Sequence, residues 1–140
     1  MNKELVVDDM RIARMKPLMT PAILLERLPM SHEMIELVSN DRSEISEIVH
    51  GNDERLMVII GPCSIHDVVA AKEYASRLKP LIDKYSTKLK IIMRVYFEKP
   101  RTTVGWKGLI NDPDLDQSFN VNQGLHKARD LLCELVEMGV

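Results

Sequence analysis

The stretch Arg94-Val95-Tyr96-Phe97-Glu98-Lys99-Pro100-Arg101-Thr102-Thr103-Val104-Gly105-Trp106-Lys107-Gly108 sets the cations Arg94, Lys99, Arg101 and Lys107 against a single acid, Glu98. Such a cluster suits anions: a guanidinium fork matches carboxylate and phosphate oxygens in pairs, and a lysine adds a compact point charge. Pro100 has a fixed φ and biases Lys99 towards extended backbone, so the flanking cations are held in place. Thr102 and Thr103 add neutral hydroxyl donors, and Gly105 and Gly108 are expected to let backbone approach a ligand closely. The competing reading is a solvated basic loop. The rigid punctuation and the apolar run Leu89-Lys90-Ile91-Ile92-Met93 immediately before it favour an anion site at the end of a strand.

Cys63 offers a second kind of chemistry. It lies in Gly61-Pro62-Cys63-Ser64-Ile65-His66-Asp67, directly after the apolar and β-branched run Leu56-Met57-Val58-Ile59-Ile60. That run reads as a strand buried on both faces, as in a parallel sheet. Cys63 and the Lys99 loop therefore both fall just past the carboxyl ends of strands. In α/β folds ligands bind at that edge. A lone cysteine beside a strand is more often an inert buried thiol than a ligand. His66 reads as a turn residue leading into a helix, and Cys133, among Leu131, Leu132, Leu135 and Val136, as ordinary helix packing.

The elements that must position these residues can be read from local signals. Thr20-Pro21 opens a helix over Ala22 to Leu28, which Pro29 closes. A second helical stretch runs from near Ser31 towards His50-Gly51, with a polar interruption at Ser39 to Ser43. Strands are expected at Leu56 to Ile60 and Leu89 to Met93, with helices over about Val68 to Lys84 and Val121 to Met138. Residues 109 to 120, with Asn111, Asp112, Pro113 and Asp114, form a polar connector. This divides the chain into an amino-terminal arm and helical extension, 1–55, and an α/β part, 56–140, built of about two strand-helix units.

Composition excludes several classes. With 45% hydrophobic and 29% charged residues and a formal net charge of −2, there is no global pull towards nucleic acid or membrane. The amino terminus lacks the apolar core of a signal peptide, and no stretch approaches a membrane span, so a cytoplasmic location is expected. Two cysteines in unrelated contexts do not make a disulfide framework.

The blocks Gly61 to Asp67 and Met93 to Gly108, with Leu109-Ile110-Asn111-Asp112-Pro113-Asp114 and the amino-terminal arm, resemble the 3-deoxy-D-arabino-heptulosonate-7-phosphate (DAHP) synthases, in the class regulated by aromatic amino acids. The resemblance covers nearly the whole chain. It implies the amino-terminal part of a (β/α)8 barrel, a fold of roughly 250 residues, so these 140 residues are expected to be the front of a longer protein. It also implies condensation of phosphoenolpyruvate with erythrose 4-phosphate to DAHP and phosphate, at the start of aromatic amino-acid synthesis. By place in the motif, Arg94 and Lys99 match phosphoenolpyruvate-binding residues, with Lys99 also a candidate for proton movement. Pro100, Arg101 and Thr102 match the sugar-phosphate side. Trp106 and Lys107 match the motif and are expected to be structural.

Cys63 becomes one ligand of a divalent metal ion (manganese, iron, zinc or cobalt), whose other ligands in the family come from later strands. Asp8 and Asp9, in an arm that resembles the effector-binding arm of feedback-inhibited members, would receive the amino group of an amino-acid effector. A homo-oligomer is implied as well. The alternative is a non-catalytic fragment that binds phosphate weakly or associates with full-length subunits.

Overall fold

The computed structural model describes residues 15–98 and 105–140. Six elements follow in chain order: α1 (Pro21–Arg27), α2 (His32–Val49), β1 (Leu56–Ile60), α3 (Val68–Tyr85), β2 (Leu89–Met93) and α4 (Val121–Glu137). Three of the four described helix starts have a local side-chain cause. Thr20 Oγ1 accepts from the Ile23 amide at 3.5 Å and Pro21 fills the first turn. Ser31 Oγ accepts from Met34 N at 3.3 Å. The Asp67 carboxylate accepts from Val69 N at 2.8 Å and Ala70 N at 3.1 Å, so the residue after His66 caps α3. These bonds satisfy first-turn donors that have no partner within the helix. The polar stretch Ser39 to Ser43 does not interrupt α2, which runs unbroken from His32 to Val49, with Ser43 Oγ donating to the Ser39 carbonyl at 3.1 Å. Gly51, at φ +78°, ends it.

The strands β1 and β2 pair in parallel, Leu56 with Leu89 through Ile60 with Met93, and α3 makes the crossover that parallel pairing needs. The core gathers where α3, β2 and α4 meet: Ile65, Ala71, Ala75, Leu78, Met93, Leu109, Leu131 and Leu135. Small residues bring α4 close. A Cβ on Gly124 would lie 2.1 Å from the Ile110 carbonyl oxygen, so the first turn of α4 presses directly on the connector.

One expectation fails here. β1 is not buried on both faces: Leu56 is 65% and Ile59 62% exposed. The cause is coverage. Among the described residues β1 has one strand neighbour, and a two-stranded sheet cannot cover both faces of either member.

The connector is organised by Asp112, which is only 4% exposed. Its carboxylate accepts from Gln117 N at 3.1 Å, and its carbonyl accepts from Leu115 N at 3.4 Å and Trp106 Nε1 at 2.7 Å. Leu115, Gln117 and Phe119 all have positive φ, a costly state for residues with a side chain. Bonds to the buried Asp112 hold the first two of these turns.

At the amino ends of the strands an ion network ties α2 to the sheet. Arg55 reaches Asp53 at 2.6 Å and Glu44 at 2.8 Å, while Lys90 on β2 reaches Glu44 at 3.1 Å and also bonds Asp41. Hydrogen bonds from Arg55 first and Lys90 second hold the Glu44 carboxyl below its ordinary 4.5. Burial weakens the Lys90 charge, but its bonds to Asp41 and Glu44 outweigh that and hold its pKa above 10.5. Glu44 therefore stabilises the fold fully above pH 4.5, and that contribution fades as pH falls through its lowered folded value. The Lys90 contribution is present below 10.5 and fades only as pH rises through its raised value. We expect urea midpoints to be flat through neutral pH and to drop on acidification. Glu44→Gln should lower the plateau by about 1 kcal/mol or less, the pair being 41% exposed at Glu44, and should flatten the acid limb. An unchanged acid limb would remove Glu44 from this role.

Candidate anion site at the carboxyl edge of the strands

β1 and β2 end side by side, and the segments that leave them are bound together at successive points. Arg94 N donates to the Ile60 carbonyl at 2.8 Å, which extends the parallel ladder one step past β2. Gly61 then passes so close that a Cβ there would sit 2.5 Å from the Arg94 carbonyl oxygen. Two residues after Cys63, Ile65 N donates to the Tyr96 carbonyl at 2.8 Å, and the Ile65 side chain is 1% exposed. Cys63 is thus the exposed crown of a short loop whose two feet are fixed to the Arg94–Tyr96 segment. Behind it, Ser64 Oγ is buried with no hydrogen-bond partner among the described residues. The loop borders a cavity of about 230 Å³ lined by Pro62, Ser64, Ile65, Ala71 and Tyr74 among others.

Arg94 is exposed, and its guanidinium carbon lies over the Tyr96 ring, 5.1 Å from the centroid. Among the described residues no carboxylate pairs with it, so its donors face outward at the strand edge. The main chain of Glu98 forms an isolated antiparallel bridge with Gly108. Leu109 N adds a bond to the Phe97 carbonyl at 2.8 Å. These contacts close a stem through which the chain enters and leaves the 99–104 segment.

The expectation for Gly108 is corrected here. Its missing Cβ makes room for the chain itself, since a Cβ would fall 2.1 Å from the Phe97 oxygen, and so the approach is to backbone rather than to a ligand. Trp106 is structural, as expected: its indole bonds Asp112 and meets the His66 ring edge-on, with centroids 6.4 Å apart at 87°. The His66–Trp106 contact is a further tie between the two loops.

Of the candidate site residues, the fold brings Cys63 and Arg94 to one edge. Lys99, Pro100, Arg101 and Thr102, and the arm residues Asp8 and Asp9, lie outside the described residues. Among the described residues no group of three or more His, Cys, Asp or Glu comes together to hold a metal ion. Cys63 therefore has no such group around it among the described residues. No described helix is long and apolar enough to cross a membrane. Sequence reasoning missed Tyr96, although a signal existed: in extended chain, residues i and i+2 share a side, which places an aromatic ring beside the arginine.

The family model described as the DAHP synthetase I family matches residues 29–139. The chain is 55% identical over 139 residues to a phospho-2-dehydro-3-deoxyheptonate aldolase of Haemophilus influenzae, covering 98% of this chain and 38% of that protein. It is equally identical, over 133 residues, to the Phe-sensitive phospho-2-dehydro-3-deoxyheptonate aldolase of Escherichia coli K12, covering 95% of this chain and 38% of the relative. The solved structure of the corresponding aldolase from Francisella tularensis superposes with a TM-score of 0.89 at 53% identity, covering 92% of this chain and 38% of that one. The chain thus spans a little over a third of the length of the relatives it matches.

Proposed function

The chain belongs to the DAHP synthetase I family, and we propose from this that it forms the first strand-edge portion of a site that condenses phosphoenolpyruvate with erythrose 4-phosphate. The carbon–carbon bond forms between the enol carbon of phosphoenolpyruvate and the aldehyde carbon of the sugar. Water is taken up, and DAHP and inorganic phosphate are released at the first step of aromatic amino-acid synthesis. The observation that carries this reading is Arg94. It is an outward-facing arginine with no carboxylate partner among the described residues, at the carboxyl end of a parallel pair and tied to the Cys63 loop.

Both substrates carry phosphate and one carries a carboxylate, which accounts for the density of cations. Arg94 and Lys99 would hold the phosphoenolpyruvate anion, while Pro100, Arg101 and Thr102 would meet the sugar phosphate. Lys99, which the family motif matches to both substrates, would also be the candidate for proton movement. Cys63 would supply one thiolate to a divalent metal, an ion whose chemistry here is polarisation of a carbonyl oxygen. Asp8 and Asp9 would receive the amino group of an aromatic amino-acid effector. The two strand-helix units would be the opening of a (β/α)8 barrel, in a cytoplasmic homo-oligomer.

A second reading concerns the 140-residue polypeptide by itself: it binds phosphate groups without turning substrate over. The exposed apolar face of β1 and the lack of any three-donor cluster among the described residues favour it. The test is DAHP formation with added manganese. The expected result is no turnover by the 140-residue chain, and turnover by a polypeptide that continues it to full family length. Metal-dependent turnover by the short chain would overturn the second reading. Failure of the long one would overturn the first.

A further inference from the structure

Tyr96 has two attachments that serve Arg94. Its carbonyl accepts from the amide of Ile65, a residue 1% exposed, so the main chain carrying the ring is anchored to a buried point. The residue is 37% exposed, and its ring lies under the Arg94 guanidinium at 5.1 Å. The phenol hydroxyl has no hydrogen-bond partner among the described residues, so what Tyr96 offers its neighbour is a ring face rather than a polar tip. A cation over a ring is held by the ring's quadrupole and uses none of its own N–H donors for the purpose. An unheld arginine side chain samples many rotamers and loses that freedom when it binds an anion.

We propose that Tyr96 is the positioning residue of this site: its ring holds the Arg94 guanidinium above the strand edge while leaving the N–H fork free for a carboxylate or phosphate. The proposal deepens the reading of Arg94 as a phosphoenolpyruvate ligand and rests on it. Tyr96 touches no substrate in this scheme. It reduces the ordering that Arg94 must undergo when the anion arrives, and the same peptide unit fixes the foot of the Cys63 loop. One residue thus sets the arginine and the cysteine relative to each other.

The test uses the 140-residue chain and NMR of the Arg94 Nε–H group, assigned by its loss in Arg94→Lys. In the parent chain the ring current of Tyr96 should move the Arg94 side-chain signals upfield of free arginine. Tyr96→Phe should keep the shift and Tyr96→Leu should abolish it. Titration with phosphoenolpyruvate should then show about two- to fivefold weaker binding for Tyr96→Leu and none of this loss for Tyr96→Phe. Parent Arg94 signals at the free-arginine position would overturn the proposal, and that result does not depend on any variant folding. A Phe variant as impaired as Leu would overturn it too. Phosphoenolpyruvate that leaves the ring-shifted Arg94 signals of the parent unmoved would instead overturn the ligand reading on which the proposal rests, with the geometry intact.

Discussion

Cys63→Ala, made in a polypeptide of full family length, should abolish DAHP formation and lower bound metal while leaving the melting transition close to that of the parent. Cys63 is exposed on the crown of its loop, and the adjoining anchors, Gly61 against Arg94 and Ile65 N to the Tyr96 carbonyl, do not involve its side chain. Losing the thiol therefore removes a donor and little packing. A thiolate ligand is a large share of a divalent site, and the remaining donors cannot replace its charge. Cys133 makes the contrast. It is half-buried on α4 near Leu131 and Leu135, so Cys133→Ala should cost about 1 kcal/mol of stability through packing and leave metal content unchanged. Metal analysis beside steady-state turnover decides the matter: normal metal content and activity in Cys63→Ala would remove the ligand role.

Gly108→Ala should be the most damaging single methyl group in the described part of the fold. Gly108 adopts φ +120°, and the added carbon would sit 2.1 Å from the Phe97 oxygen and 2.7 Å from Glu98 Cα. Both obstacles are backbone, which has no rotamer to change. Strain at such a φ is on the order of 1–3 kcal/mol, and the forced separation of the stem adds a similar amount. We expect a total loss of about 3–5 kcal/mol in urea denaturation, with the Glu98–Gly108 bridge and the Leu109–Phe97 hydrogen bond lost together. Gly51→Ala is the control. It also has positive φ, at +78°, but nothing lies within 4 Å of its missing Cβ, so only about 1 kcal/mol should be lost. Equal losses for the two substitutions would mean that the crowding at the stem is not real.

Much of this protein was determined by sequence signals acting over a few residues. The strands Leu56–Ile60 and Leu89–Met93 and the start of α3 at Val68 stand where apolar runs, Gly61-Pro62 and Asp67 place them. Helix boundaries fall within a residue or so of the expected positions, because caps such as Thr20, Ser31 and Gly51 act on neighbouring main chain and need no tertiary partner. The proposed chemistry of the site is read from the sequence for a related reason: phosphate and carboxylate ligands would demand cationic side chains, and such side chains are written out between Arg94 and Lys107.

Tertiary structure decided what each residue is for. Gly108 serves the chain's own crossing at Phe97, and the main chain of Glu98 pairs with Gly108 in a bridge. Asp112, which reads as an ordinary connector acid, is buried and holds Leu115 and Gln117 in left-handed backbone. The exposure of β1 depends on how many strands flank it, a quantity that the run Leu56 to Ile60 cannot encode. Each of these outcomes rests on contacts between residues separated along the chain or on the conformation a whole loop is forced to adopt. Local propensity contains no information about such contacts, because the partners meet only once the chain after β2 has folded back on itself and, for β1, once the crossover through α3 has set β2 beside it.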